Sequence, residues 1–189
     1  MRIGKQDAAF TAIATSDAHS ITVRGYDLCE ELIGRIDLTD YLWLLVTGRR
    51  ATGVQRDISN ACMVALAEHG LVPSVQAARM TLAAAPEAWQ GAMSAGLLGM
   101  GSVVAGSSEV AARYVVEVLQ ASREGGSLED AARAGLERLK AARAKVPGLG
   151  HPQHSAGDPR ADRLLELSDR LGVSGEHVAC LREIARLAP

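Results

Sequence analysis

From Asp27 to the end of the chain the apolar residues fall at helical spacing, and glycines interrupt the pattern at short intervals. Side chains three, four and seven positions apart share one face of a helix. A glycine just past the last periodic residue takes the left-handed conformation that closes a helix. Asp27, Leu28, Leu32 and Ile33 fit a short helix stopped by Gly34, and Thr39 or Asp40 is placed to cap a helix over 41–47 ending at Gly48. Ile58, Cys62, Ala65, Leu66 and His69 lie on one face ahead of Gly70. Further helices are expected over 73–84 with Ser74 near the cap, over 87–100, over 109–120, from Ser127 to about 145, from Asp158 to Gly172, and from Ser174 onward. Before Asp27, Ile21-Thr22-Val23 reads as a short extended run followed by a turn at 24–27. The expected fold class is all-α, with a short extended N-terminal segment.

The apolar residues are small. Hydrophobic residues make up 48% of the 189, but aromatics only 3%, so helices must pack closely through Ala, Gly and Leu rather than around rings. The segment 87–100 carries Gly91, Ala92, Ser94, Ala95, Gly96 and Gly99, a density that permits close approach of another helix. The segment 109–120 reads as apolar on nearly every side, as a helix does in a core or a subunit interface. These two segments predict a homodimer. Twenty basic against 22 acidic residues give a net charge of −2, which supplies no electrostatic footprint for nucleic acid. No apolar run approaches the ~20 residues of a membrane span, and the first residues lack a signal-peptide pattern. Cys29, Cys62 and Cys180 are odd in number and far apart, which fits free thiols in a reducing cytoplasm.

Chemistry is expected in the one long loop rich in glycine and proline, Val146-Pro147-Gly148-Leu149-Gly150-His151, which leads to Asp158-Pro159-Arg160. Glycines let backbone amides approach a ligand, and a histidine in such a loop can exchange a proton near neutral pH. Asp158 reads as an N-cap with proline at the first helical position. Arg160 then stands in a first turn where the helix dipole opposes its charge, so a partner anion is expected, Asp158 being the nearest. The plainer reading is a helix connection with a surface histidine. His151 and His154 also have the spacing of two metal ligands, but the intervening proline disfavours a regular helix and no third ligand is evident. No metal is expected.

This loop resembles the PGxGH…DPR segment of the citrate synthase superfamily. Arg24-Gly25-Tyr26-Asp27-Leu28, the segment Tyr41-Leu42-Trp43-Leu44-Leu45-Val46-Thr47-Gly48 and Ala67-Glu68-His69-Gly70 match landmarks of that family in the same order, and the resemblance covers most of residues 17–175. The resemblance implies a citrate synthase-like helical fold across 1–189, with a large part over about 17–125 and a smaller part over about 126–189. It implies His151 and His69 as catalytic residues, with His151 the general base for the hydroxyl proton in cleavage. His69 and Arg160 are the implied substrate ligands, and Val146, Pro147, Gly148, Leu149 and Gly150 the implied coenzyme A contacts. Arg138, Arg143 and Lys145 lie near enough in sequence to meet its phosphates, or else form a solvated helix end. The sequence departs from the family twice. Val104 occupies the position of the enol-stabilising histidine of synthases, a loss shared with the citryl-CoA lyase module of ATP-citrate lyase. No counterpart of the family's catalytic aspartate is visible before Pro189, so the C-terminal catalytic segment is expected to be absent from this chain. The implied function is citryl-CoA lyase, giving acetyl-CoA and oxaloacetate. The alternatives are a citrate synthase or related condensing enzyme, and a non-catalytic binder of coenzyme A or a dicarboxylate.

Overall fold

Arg24 and Gly25 take positive φ values, 50° and 86°, and reverse the chain between two short strands as a two-residue hairpin requires. The computed structural model describes residues 11–68, 70–151, 154 and 157–188; His69 lies outside them. Strands β1 (Ala14–Ser16), β2 (Ile21–Val23) and β3 (Tyr26–Asp27) form an antiparallel sheet, with Ala14 opposite Val23 and Val23 opposite Tyr26. The rest is helical, as the spacing predicted. The chain divides into two units, Met1–Ala65 and Leu66–Pro189.

In the first unit a single π-turn, Leu28–Leu32, follows the sheet, capped by Asp27, whose carboxylate accepts the Cys29 and Glu30 N–H groups. Helix α1 (Leu38–Thr47) ends at Gly48 with φ 76°. Its cap is Asp37, which accepts the Asp40 N–H at 2.8 Å, so the cap expected at Thr39 or Asp40 is corrected. Asp37 is the residue with extended backbone geometry, which aims its carboxylate at the first-turn donors. Val23, Leu32 and Leu44 are buried together, with Tyr26, Leu28, Ile36, Tyr41 and Leu45 around them. Arg24 donates to the Leu45 carbonyl, and Arg50 lies 4.7 Å over the Tyr26 ring. Two of the sequence landmarks, at 24–28 and 41–48, are therefore parts of one packed unit. Helix α2 (Gly53–Leu66) follows. It ends at Leu66, short of the Gly70 stop expected from the sequence, and the Glu68 carboxylate accepts the Gly70 N–H at 2.7 Å.

The second unit starts with α3 (Pro73–Ala84) and α4 (Trp89–Leu98), packed against each other. Ser74 is buried in the first turn of α3 and does not cap it. A Cβ at Gly96 would come within 3.3 Å of the Ala78 Cβ, and one at Gly99 within 3.1 Å of the Ser74 Cα. The small residues of α4 thus serve contact with α3 inside this chain. Helices α5 (Ser107–Arg123), α6 (Leu128–Ala141) and α8 (Glu176–Leu187) pack mutually around Tyr114, Val115, Val118, Leu119, Ala132, Cys180 and Ile184. Helix α5 corrects the expectation of an all-apolar cylinder. One face is buried, while Val110 and Val116 are 46% and 39% exposed, and Glu109 pairs with Arg113 on the surface. Helix α6 is capped by Ser127, as expected, but ends at Ala141, with Arg143 at φ 53° turning the chain into the loop. Helix α7 (Pro159–Arg170) is tied to α8 through Asp169 and Arg182, 2.6 Å apart. Helix α8 is preceded by Gly175, not Ser174, whose hydroxyl is taken up by Ser168 and Asp169. Among the described residues no helix is long and apolar enough to cross a membrane.

Candidate active site

The loop between α6 and α7 is built as a turn on an apolar footing. Leu149 N–H donates to the Val146 carbonyl at 3.3 Å, with Pro147 and Gly148 between them and Gly148 at φ 81°. Proline followed by a glycine at positive φ is the sequence signature of a type II turn. Val146 and Leu149 pack on the core of α5, α6 and α8. Gly148 comes so close to α5 that a Cβ there would stand 2.9 Å from the Ala111 Cβ. Gly150 again has positive φ, 84°, with nothing near it. The segment expected to meet coenzyme A is therefore fixed by two apolar anchors and one glycine contact, and Gly148 and Gly150 remain exposed.

His151 follows directly and is half-buried. Its Nδ1 accepts the backbone N–H of His154 at 3.2 Å, and the two imidazole rings lie 4.6 Å apart at 33°. An Nδ1 that accepts a hydrogen bond carries no proton, so the neutral ring holds its proton on Nε2. Nε2 stands 3.4 Å from Nη2 of Arg160. In that tautomer both atoms are donors, and the approach is a contact rather than a hydrogen bond. Sequence reading missed the His154 backbone as the group that orients His151. The HxxH spacing marked the pair but said nothing of a main-chain donor.

Arg160 is held by the cap of its own helix. Asp158 accepts the Arg160 backbone N–H at 3.0 Å and its Nε at 2.9 Å on Oδ1, and Nη2 at 2.6 Å on Oδ2. The guanidinium hydrogen bond holds the Asp158 carboxyl far below the ordinary carboxylate range, against the opposing effect of burial. The same bond raises Arg160 above its usual value. A carboxyl depressed in the folded state contributes stability above its unfolded range and loses it only as pH falls through the folded value. The Arg160–Asp158 pair therefore persists through mild acid. Asp158 was expected to cap α7 and to partner Arg160, and it does both.

The remaining candidates are dispersed. Arg138 pairs with Glu117 of α5 at 2.8 Å, while Arg143 and Lys145 are exposed. His69, expected as a catalytic and substrate-binding residue, lies outside the described residues.

Residues 49–189 match the family model described as citrate synthase, C-terminal domain. Among solved structures the chain is similar to citryl-CoA lyase from Hydrogenobacter thermophilus, with a TM-score of 0.80 and 28% identity over 98% of this chain and 67% of that one. ATP citrate lyase from Methanothrix soehngenii, in complex with citrate and coenzyme A, gives a TM-score of 0.80 at 19% identity over 98% of this chain and 29% of that one. A mutant ATP citrate lyase from Methanosaeta concilii, in complex with (3S)-citryl-CoA, gives the same values. Those two likenesses concern the fold alone. No curated protein sequence matches the chain. With three quarters of its length inside the family model, the chain belongs to the citrate synthase family.

Proposed function

We propose that this chain is a citryl-CoA lyase-like enzyme that cleaves citryl-CoA to acetyl-CoA and oxaloacetate. The observation that carries the reading is the 28% identity to a citryl-CoA lyase along nearly the whole chain. The loop geometry supports it. In the proposed mechanism the substrate hydroxyl faces Nε2 of His151, because Nδ1 is engaged by the His154 N–H. As the hydroxyl proton leaves to the ring, the oxygen becomes the carbonyl of oxaloacetate. The carbon–carbon bond breaks, and its electron pair passes to the thioester side as an enolate. For Nε2 to take that proton it must enter the step bare, so the ring proton first moves to Nδ1, which gives up its hydrogen bond from the His154 N–H. In the condensing direction the same Nε2–H is already set to donate to a carbonyl oxygen. Arg160 is assigned to a substrate carboxylate and His69 to the substrate oxygens. The backbone of Val146, Pro147, Gly148, Leu149 and Gly150 is assigned to the adenine end of coenzyme A.

A synthase reading is kept by that second direction, and Val104 weighs against it. Val104 lies in the tight turn ahead of α5, where synthases carry a histidine. Forming the enol of acetyl-CoA needs a donor on the thioester oxygen as charge develops, and a valine side chain has none. Reversibility forbids a one-way catalyst, so the difference must lie in how well acetyl-CoA is activated. With the full-length polypeptide, supplied citryl-CoA should be cleaved much faster than acetyl-CoA and oxaloacetate are condensed. Rapid condensation with poor cleavage would restore the synthase reading, and the absence of any turnover with intact coenzyme A binding would leave a binder.

Arg160→Lys should weaken citrate or oxaloacetate binding about ten- to hundredfold, since a lysine keeps the charge but loses the planar fork. Calorimetric affinity equal to that of the unaltered protein would reduce Arg160 to a helix-start residue. We also infer a homodimer. Trp89, Leu97 and Leu98 of α4 are 63%, 66% and 88% exposed, more apolar surface on one helix than a monomer ordinarily shows to water. Light scattering should give twice the chain mass at micromolar concentration; a folded monomer there contradicts this assignment.

A further inference from the structure

We propose that His151, His154 and Asp158 form a binding site for a divalent transition-metal ion of the zinc type, which takes Asp158 away from Arg160. One ligand atom from each residue lies within 4.8 Å of the other two, the one such group among the described residues. The sequence offered two imidazoles and no third ligand. The fold supplies it, because the N-cap position of α7 returns the Asp158 carboxylate to the two rings. Two imidazoles and a carboxylate suit Zn²⁺, Co²⁺ or Ni²⁺, and leave a position for water or an anion.

The distances are those of an open site able to close. Bonds of about 2.0–2.2 Å at tetrahedral angles put ligand atoms roughly 3.4 Å apart. The three residues would each have to draw in slightly, and all are half-buried, so an ion can reach them and side chains can turn. The rings already lie side by side at 4.6 Å. His151 can offer Nε2 to the metal once its ring proton has moved to Nδ1, which then gives up the His154 N–H it accepts in the metal-free site.

One neighbour opposes an ion. The Arg160 guanidinium holds both oxygens of Asp158 and approaches Nε2 of His151 at 3.4 Å. A dication and a guanidinium at such range repel strongly in a half-buried place. Metal and arginine therefore compete for one carboxylate. Metal binding would hold His151 and dislodge Arg160, switching off the groups assigned above to the substrate. That regulatory consequence rests on the lyase reading; binding of the ion does not.

The test uses Co²⁺ added to the metal-free full chain without substrate, followed by its visible absorption and by calorimetry. One ion per chain should bind. His154→Ala keeps the backbone N–H that serves His151 and should weaken binding at least tenfold, as loss even of an outer-shell partner does at metal sites. Arg160→Gln removes the competitor and should strengthen binding severalfold. If His154→Ala loses its helical circular dichroism, His154→Gln is read in its place. Absence of saturable uptake, an affinity indifferent to His154, or no gain in Arg160→Gln overturns the proposal. Uptake is read without substrate, so a chain that binds Co²⁺ but cleaves no citryl-CoA fails only the lyase reading. Cleavage unaffected by saturating Co²⁺ fails only the metal switch.

Discussion

His151→Ala should lower citryl-CoA cleavage about 10²–10⁴-fold while the chain stays folded, the usual loss on removing a positioned acid–base group. The expectation of an intact fold comes from the way the loop is held. Val146 and Leu149 carry its contact with the core, and His151 is absent from both apolar clusters. The substitution leaves the His154 N–H without its Nδ1 acceptor, in a half-buried place that water can reach. Its cost should be small beside the catalytic loss. Circular dichroism and a thermal melt establish that the variant is folded, and stopped assays with supplied citryl-CoA measure the rate. His151→Gln offers a further check, because an amide can donate to a carbonyl oxygen but cannot take up the hydroxyl proton. It should retain affinity for oxaloacetate while losing turnover. A folded His151→Ala protein with ordinary turnover removes the residue from the mechanism.

What the sequence made legible follows from the range of the interactions involved. The α7 cap was readable because Asp158, Pro159 and Arg160 are adjacent, and their hydrogen bonds span two residues. The glycine stops at Gly34, Gly48 and Gly172 were readable because a positive φ is a property of one residue. The helix over 109–120 was misread because its polar face is interrupted. Glu109, Arg113 and Glu117 stand among valines, and only the positions of α6 and α8 decide which valines are covered. Likewise, the small residues of α4 fit a subunit contact or an intrachain one equally well in sequence. The nearness of Gly96 and Gly99 to α3 is a tertiary fact. At the site, the loop motif located His151 and Arg160. The main-chain donor from His154 and the nearness of Asp158 to the two imidazoles are tertiary facts, which no spacing rule supplies.

Gly148→Ala should cost about 2–5 kcal/mol of stability and loosen coenzyme A binding, although the change adds one methyl group. Two effects combine. An alanine at φ 81° is strained by roughly 1–2 kcal/mol, because its Cβ crowds the following carbonyl in the left-handed region. The new Cβ also meets the Ala111 Cβ of α5 at 2.9 Å, a distance that real Cβ atoms essentially never show, and overpacking of this kind costs about 1–3 kcal/mol. Neither methyl is the end of a flexible side chain, so relief requires the 146–150 turn to lift from α5. That movement carries the backbone assigned to coenzyme A with it. Gly150→Ala separates the two effects. Gly150 has nearly the same φ, 84°, but no atom within 4 Å of its added Cβ, so only the strain should appear. Placing Gly148→Ala in an Ala111→Gly background should likewise remove the collision and leave the strain. Urea unfolding of the single variants and the double variant measures each quantity. If Gly148→Ala is no more destabilising than Gly150→Ala, or if Ala111→Gly does not rescue it, the turn is not seated on α5 through Gly148. The rigid footing assigned to the coenzyme A segment would then rest on Val146 and Leu149 alone.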